Sequence, residues 1–386
     1  MRDRRTLRFA HIIVAIGLVL VCGAAIGGSL PELAYTQVAP GVTYTEGRIA
    51  EGALDDSTHE IRVVRIRRDE RTVTPDGAAA FGVIPGVATF TNILAREAAS
   101  GDRIVAAVNA DFFRMSGQTR EDLMLGTMVG GGELIRTNRQ QECLYLTDDR
   151  TPGIAKLEIG GEVRARGWSA PVLGVNCDAV EDGVTLYTAA WGWSVDGPFA
   201  VAEFSAGALR SQGQWTGHVV RRLRGNQKRV PTGGEVFMVA RGAAAVGAPT
   251  LHKADAVSLE LAAVGLSSPV QMAVGGRVVL VKGGMVAAER SSNDRQHPRT
   301  AVGYNEDEII LFTCDGRQPG WSVGLYLDQM AGVLLELGCT EALNLDGGGS
   351  TTMIVDGRVG NRPSGGIQRM ISNAVLVRSS AGAGGL

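Results

Sequence analysis

Glycine pairs stand between short β-branched runs, as in "LEIGGEV" and "MAVGGRVVLVKGGMV". A run of four to six such residues is too short for a buried helix, and a Gly-Gly step reverses a chain cheaply because glycine tolerates positive φ. The spacing predicts hairpins at these sites and a strand-rich fold. The chain carries 53 glycines in 386 residues, with neither a collagen period nor low complexity, which extends that expectation to its whole length. Further strands are predicted at 60–67, 104–108, 257–261 and 309–313. Helical composition falls on "FTNILAREAAS" (90–100). A second helix is signalled by the apolar stripe Val323, Leu327, Met330, Val333, Leu334 and Leu337, with Ser322 as N-cap and Gly338 at its end. This helix should pack beneath the sheet that carries the strand "EALNL". The expected class is α/β (α+β): a strand-dominated mixed sheet with a few packed helices.

Residues 1–34 stand apart. Arg2, Arg4, Arg5 and Arg8 precede Phe9–Leu30, 22 residues with no fixed charge. Such a segment is either a membrane anchor or a cleaved signal peptide, and in both cases Tyr35 onward is exported. The expected location is therefore extracytoplasmic, membrane-anchored or secreted, with a membrane partner if the leader is retained. The segment 379–386 reads as a flexible tail. A formal charge of −2 argues against nucleic acid as a partner. Outside the leader are Cys143, Cys177, Cys314 and Cys339, without zinc spacing, so disulfides and buried thiols both remain open.

The chemistry concentrates in "ALNLDGGGSTTMIVDG" (342–357). An apolar strand ends in Asp346 and meets Gly347, Gly348 and Gly349, followed by Ser350, Thr351 and Thr352. Three missing side chains let another group approach the backbone, and loop amides can converge on an anion. Asp346 adds an acceptor and the hydroxyls add donors, a set suited to a ligand with hydroxyls and phosphate. A tight turn with an Asx cap explains the same residues without a ligand. A P-loop is excluded, because no lysine follows and the next segment is β-branched. Other strand ends carry similar sets: Asn109 and Asp111 in "AVNADFF"; His297, Arg299 and Thr300 in "HPRTAVGY"; Asp315 and Arg317 in "TCDGR"; Arg369 and Asn373 in "NRPSGGIQRMISNAVLV". Sites assemble where strands stop.

These stretches resemble the phosphodiester glycosidase family over roughly 41–378. The similarity rests on Asn-Leu-Asp-Gly-Gly-Gly-Ser-Thr-Thr at 344–352, Arg299–Gly303, Asp315-Gly316-Arg317 and Gly338–Ala342. Where the family often reads Asn-Gly-Gly, this chain has Asn109-Ala110-Asp111. The resemblance implies hydrolysis of a sugar-1-phosphodiester bond in a cell-envelope glycan or glycolipid. The leaving group is then a phosphate monoester, so neutralising its charge outweighs protonating it. On that basis Asp346 is the expected sugar-side carboxylate, Arg299 and Arg369 are the phosphate clamps, and Asp315 is a second carboxylate or a turn residue. Asn109, Asp111, Thr300, Asn344, Gly347, Gly348, Gly349, Ser350 and Thr351 are expected around the substrate. No cofactor is implied. Asp346, Asp111 and Asp315 offer oxygens of the kind that hold a divalent metal, although no ligand spacing supports one. The reading from another class is a non-catalytic glycan-binding protein of exopolysaccharide assembly.

Overall fold

The computed structural model describes residues 30–99, 101–114, 123–204, 207–223, 228–246 and 250–380. Residues 1–29 of the expected leader (1–34) and 381–386 of the expected tail (379–386) lie outside the described residues; the tail begins later than expected, because Ser379 is buried at the end of a strand and the Ser380 amide donates to the Thr72 carbonyl at 2.9 Å. Among the described residues no helix is long and apolar enough to cross a membrane.

Two sheets face each other. The first has eight strands in the order Thr36–Ala39, Val42–Ile49, His59–Arg67, Glu308–Cys314, Arg299–Tyr304, Glu341–Asn344, Val279–Lys282 and Met285–Val286. The second has five, in the order Arg358–Val359, Met353–Val355, Arg103–Asn109, Asn373–Ser379 and Val73–Ala79. Side chains alternate along each strand, so each sheet feeds two cores. Val64, Val302 and Leu311 point inward to meet Val105, Val108 and Val375 of the other sheet. Their neighbours Val63, Ala301 and Ile310 point outward onto Met330, Val333 and Leu334 of the helix Leu327–Glu336. On the opposite side, Ala107, Ile354 and Leu376 pack on Phe90 and Ile93 of the helix Phe90–Ala98. The order of layers is helix, sheet, sheet, helix, and both predicted helices form with the second beneath the Asp346 strand.

A third sheet joins this sandwich to a closed seven-stranded barrel drawn from residues between Ile159 and Ala263. The same period-two logic makes the joint. Met272, Val274, Met128 and Leu144 face the sandwich. Ala273, Val129 and Cys143 face the barrel core.

Three local expectations are corrected. Gly160-Gly161 does not turn; the strand Ile159–Ala165 runs straight through it. Glycine is required there by a close approach, because a Cβ on Gly161 would lie 1.8 Å from the Glu260 carbonyl oxygen. Gly275-Gly276 also makes no hairpin, since the strands on either side belong to different sheets. Only Gly283-Gly284, both at positive φ, closes a two-residue hairpin, with Lys282 opposite Met285. The helix is capped at Tyr326 rather than at Ser322. Ser322 is wholly buried and its hydroxyl bridges strands, accepting from the Glu60 amide at 3.0 Å and donating to the Asp315 carbonyl at 2.7 Å. Cys143, Cys314 and Cys339 are buried thiols and Cys177 is half-buried, none in a disulfide.

Candidate active site

The strand Glu341–Asn344 belongs to the first sheet and Met353–Val355 to the second. The glycine loop is therefore the crossing between the two layers, at the open end of the sandwich. Asn109, the last residue of a second-sheet strand, is its joint. Its Nδ2 donates to the Asp346 carbonyl at 2.6 Å, and its Oδ1 accepts from Thr300 Oγ1 at 2.8 Å and from the Thr352 amide at 3.1 Å. The Asp346 amide donates to the Ala110 carbonyl at 2.8 Å, and the Leu345 amide to the Thr300 carbonyl at 2.9 Å. Asn109 and Thr300, both buried, are thus fully engaged beneath the loop and support it without lining it. Ser350 and Thr351 are buried in the same layer.

Above the loop lies a cleft of about 280 Å³ lined by Asp346, Asn344, Gly347–Gly349, Phe112, His297, Arg299, Arg317 and Arg369. The glycines are there for proximity. A Cβ on Gly347 would lie 2.7 Å from the Pro298 carbonyl oxygen. On Gly348, which sits at φ +62°, it would lie 3.0 Å from the Arg317 guanidinium, and on Gly349 it would lie 3.3 Å from Cδ of Arg369. Two arginines therefore lie over the bare backbone. The expected cradle of amides is largely not formed. The Gly348 amide donates to the Pro298 carbonyl at 2.8 Å, and those of Ser350 and Thr351 close the turn on Gly347 and Gly348. Positive charge over the loop comes from the guanidinium groups.

Among the described residues, Asp346 is the sole carboxylate lining this cleft. Burial raises its pKa above the ordinary carboxylate value, opposed by the neighbouring Ser350 hydroxyl and by Arg369. Asn344 lines the same space, and its Oδ1 is a buried acceptor with no partner among the described residues. Arg369 also lies over the Phe113 ring, 5.5 Å from its centroid.

Arg299 reaches the cleft but is committed elsewhere. Nη2 donates to Asp294 Oδ1 at 2.6 Å and to the Arg295 carbonyl at 2.8 Å, and Nε donates to the Leu325 carbonyl at 2.7 Å. Asp294 also accepts from the Leu327 amide at the helix start, at 2.7 Å. Arg299 therefore braces the segment that carries His297 and is not free to clamp a ligand as expected, whereas Arg317, noted at its strand end without an assigned role, lies over Gly348. Arg317 Nε donates to His297 Nδ1 at 3.3 Å, which requires a neutral acceptor nitrogen. Burial, then Arg317 and Arg299, lower the pKa of His297 and favour that neutral form.

Two aspartates leave the cleft. Asp315 is 1% exposed, and its carboxylate accepts from Trp321 Nε1 at 3.0 Å, Asn361 Nδ2 at 3.1 Å and the Arg362 amide at 3.0 Å. It fastens the 361–362 segment. Asp111 is wedged between Gly126 and Gly275, where it accepts from the Gly126 amide and, at 3.5 Å, from Gln141. Burial first, with some help from the charge of Asp346, raises its pKa to about 7. Asp346, Asp111 and Asp315 do not gather, and among the described residues no three His, Cys, Asp or Glu side chains form a metal-ligand set. Trp191 and Trp193 lie edge to face, 5.0 Å apart, beside a different cleft.

Residues 200–378 match the phosphodiester glycosidase family. A prophage-derived protein of Bacillus subtilis is 36% identical over 83 residues, covering 21% of this chain and 13% of its own. N-acetylglucosamine-1-phosphodiester alpha-N-acetylglucosaminidase of Mus musculus is 39% identical over 87 residues, covering 20% and 16%. The human enzyme is 34% identical over 87 residues. The chain thus aligns with only a small fraction of the length of these relatives. A solved Synechocystis protein superposes with a TM-score of 0.67 at 20% identity, over 90% of this chain and 64% of that one. A Burkholderia pseudomallei protein does so with 0.62 at 19%, over 85% and 75%. These two share the fold.

Proposed function

We propose, from the premise that residues 200–378 are a phosphodiester glycosidase-family segment, that the chain is an exported hydrolase of a sugar-1-phosphodiester in a cell-envelope glycan or glycolipid. The observation that carries the reading is the charge layout of the cleft: one carboxylate, Asp346, below Arg317 and Arg369. An ordinary glycosidase pairs two carboxylates, one to protonate a poor leaving group. A departing phosphate monoester needs cations, and two guanidinium groups over a glycine backbone supply them. Asp346 stands on the opposite side of the ligand space as base for water or as nucleophile. Its raised pKa fits a proton acceptor working nearer neutrality than a surface aspartate. Neutral His297 orients Arg317 and leaves the phosphate side cationic. Asn344 Oδ1 is the acceptor for a sugar hydroxyl.

The test is turnover of glycosyl phosphodiester donors, including nucleotide-sugar and p-nitrophenyl types, by the full chain and by Asp346→Asn. The variant should lose about 10³-fold in kcat while keeping its cooperative unfolding. In the parent chain, kcat/KM should rise with pH as Asp346 deprotonates, with an inflection above the ordinary carboxylate range. Glycan binding without turnover of any donor would move the chain to the class of binding proteins.

A further inference from the structure

Beside the cleft lies a second groove, of about 530 Å³, whose walls include Val359, Arg362, Pro363 and Ile367. One segment separates the two spaces: Asn361, Arg362, Ile367 and Gln368 line the groove, and Arg369 lines the cleft. The partition is fixed at its base. Asn361 Nδ2 donates to the Thr351 carbonyl of the glycine loop at 3.2 Å, and Gln318 Nε2 holds the Arg362 carbonyl at 2.9 Å. Its far end is tied by the Ile371 amide to the Ala88 carbonyl at 2.9 Å.

The groove is apolar at its rim and cationic at its edge. Of its lining residues, Ile367 is 78% exposed and Val359 39%. Single exposed apolar residues are ordinary, but a set of them along a cleft wall marks a ligand surface. No carboxylate lines the groove. Arg362 lies over the Trp321 ring, 5.5 Å from its centroid, and forms no ion pair among the described residues. Hydrocarbon surface beside the Arg362 guanidinium, one chain segment away from a cationic cleft, is complementary to an anionic amphiphile whose phosphate and chain are joined across that segment.

We propose that the groove seats the aliphatic chain of the substrate's own alcohol: the diester joins a sugar to a lipid alcohol, with phosphate under Arg317 and Arg369 and hydrocarbon on Ile367 and Val359. This rests on the phosphodiester reading above and names its substrate class.

The test uses the full chain and two probes without sugar, methyl phosphate and octyl phosphate below its micellar concentration, titrated by calorimetry. Burying a few methylenes should make octyl phosphate bind at least about tenfold tighter. Ile367→Glu, a change at an exposed position, should collapse the octyl-to-methyl ratio toward unity, and Val359→Ser should lower it. Equal affinities in the parent chain, or a ratio untouched by both variants, would overturn the proposal. A second arm compares methyl and octyl diesters of one sugar 1-phosphate. Preference for the octyl diester supports the groove. Equal turnover of both removes the groove and leaves the hydrolase reading standing. No turnover, with octyl phosphate still bound in an Ile367-dependent way, removes the hydrolase reading and keeps the groove. Loss of sedimentation with anionic vesicles in Ile367→Glu, with no change in the octyl ratio, would make the patch a membrane contact and overturn the assignment.

Discussion

Asp111→Asn isolates the most displaced carboxyl in the described structure. Asp111 is 2% exposed, and its surroundings are the Gly126 amide, the Gln141 amide group, the buried Arg136 and the charge of Asp346. Its pKa rises from 3.8 to about 7 on folding. At about 1.4 kcal/mol per unit this is a pH-dependent contribution of about 4 kcal/mol. The sign follows from proton binding. Below about 3.8 both states are protonated and the group adds no pH dependence. Between about 3.8 and about 7 the native state holds a proton that the unfolded state has released, so stability falls as pH rises. Above about 7 both states are ionised and the loss is complete. An asparagine keeps one oxygen for the Gly126 amide and carries no charge. Urea unfolding at pH 4, 6 and 8 should show the variant gaining on the parent by about 4 kcal/mol across that range. A variant-to-parent difference constant within about 1 kcal/mol over the same range would mean that Asp111 titrates as a surface carboxylate, and the burial argument would fail.

Asp315→Ala should lower stability by about 2–3 kcal/mol in the same assay, because buried Asn361 and the partly buried donors of Trp321 and Arg362 lose one buried acceptor; retained stability with lost turnover would restore Asp315 to the chemistry. Arg317→Ala should cut kcat/KM on phosphodiesters by about 10²-fold, the value of a charge-assisted contact, and much less on neutral glycosides. In the same variant the His297 imidazole should titrate closer to its ordinary value of 6.5 by NMR, since the cation that depresses it is gone; an unmoved titration would deny the pairing.

The sandwich was legible because its cores are built on period two. Val63 and Val64, or Ile310 and Leu311, are neighbours buried on opposite faces, and such short apolar runs read as strands covered on both sides. The helix stripe was legible for the same reason at period 3.6. The hairpins at Gly160 and Gly275 were misread because glycine serves two ends, reversal and close approach, and only the three-dimensional neighbour, such as the Glu260 carbonyl, tells them apart. The N-cap at Ser322 was misread because tertiary packing claimed its hydroxyl for two strands.

At the site, residue type identified the participants but not their layer. Asn109, Arg299 and Asp315 are polar groups at strand ends, as a binding site requires, yet each is closed off by partners remote in sequence: Thr352, Leu325 and Asn361. Arg317 had the opposite fate. Its φ of +59° is uncommon for a side chain with a Cβ, and nothing in "TCDGR" announces it. That conformation places its guanidinium over Gly348 beside His297.

The three glycines then have a physical reason that neither a turn nor an amide cradle provides. The loop must leave one sheet and enter the other while passing under the Pro298 carbonyl, and at the same point it must admit Arg317 and Arg369 from above. A methyl group at 347 would strike the Pro298 carbonyl, one at 348 would crowd Arg317 and be strained at positive φ, and one at 349 would crowd Arg369. The loop thus couples the geometry of the fold to the charge of the site. The crossing that holds the two sheets together is the same backbone on which an anion and two arginines can meet a carboxylate. On the proposed reading a phosphodiester would set its sugar toward Asp346 and Asn344 and its alcohol toward Ile367, because it is the linkage that presents an acetal carbon and an anionic leaving group on opposite sides of one oxygen.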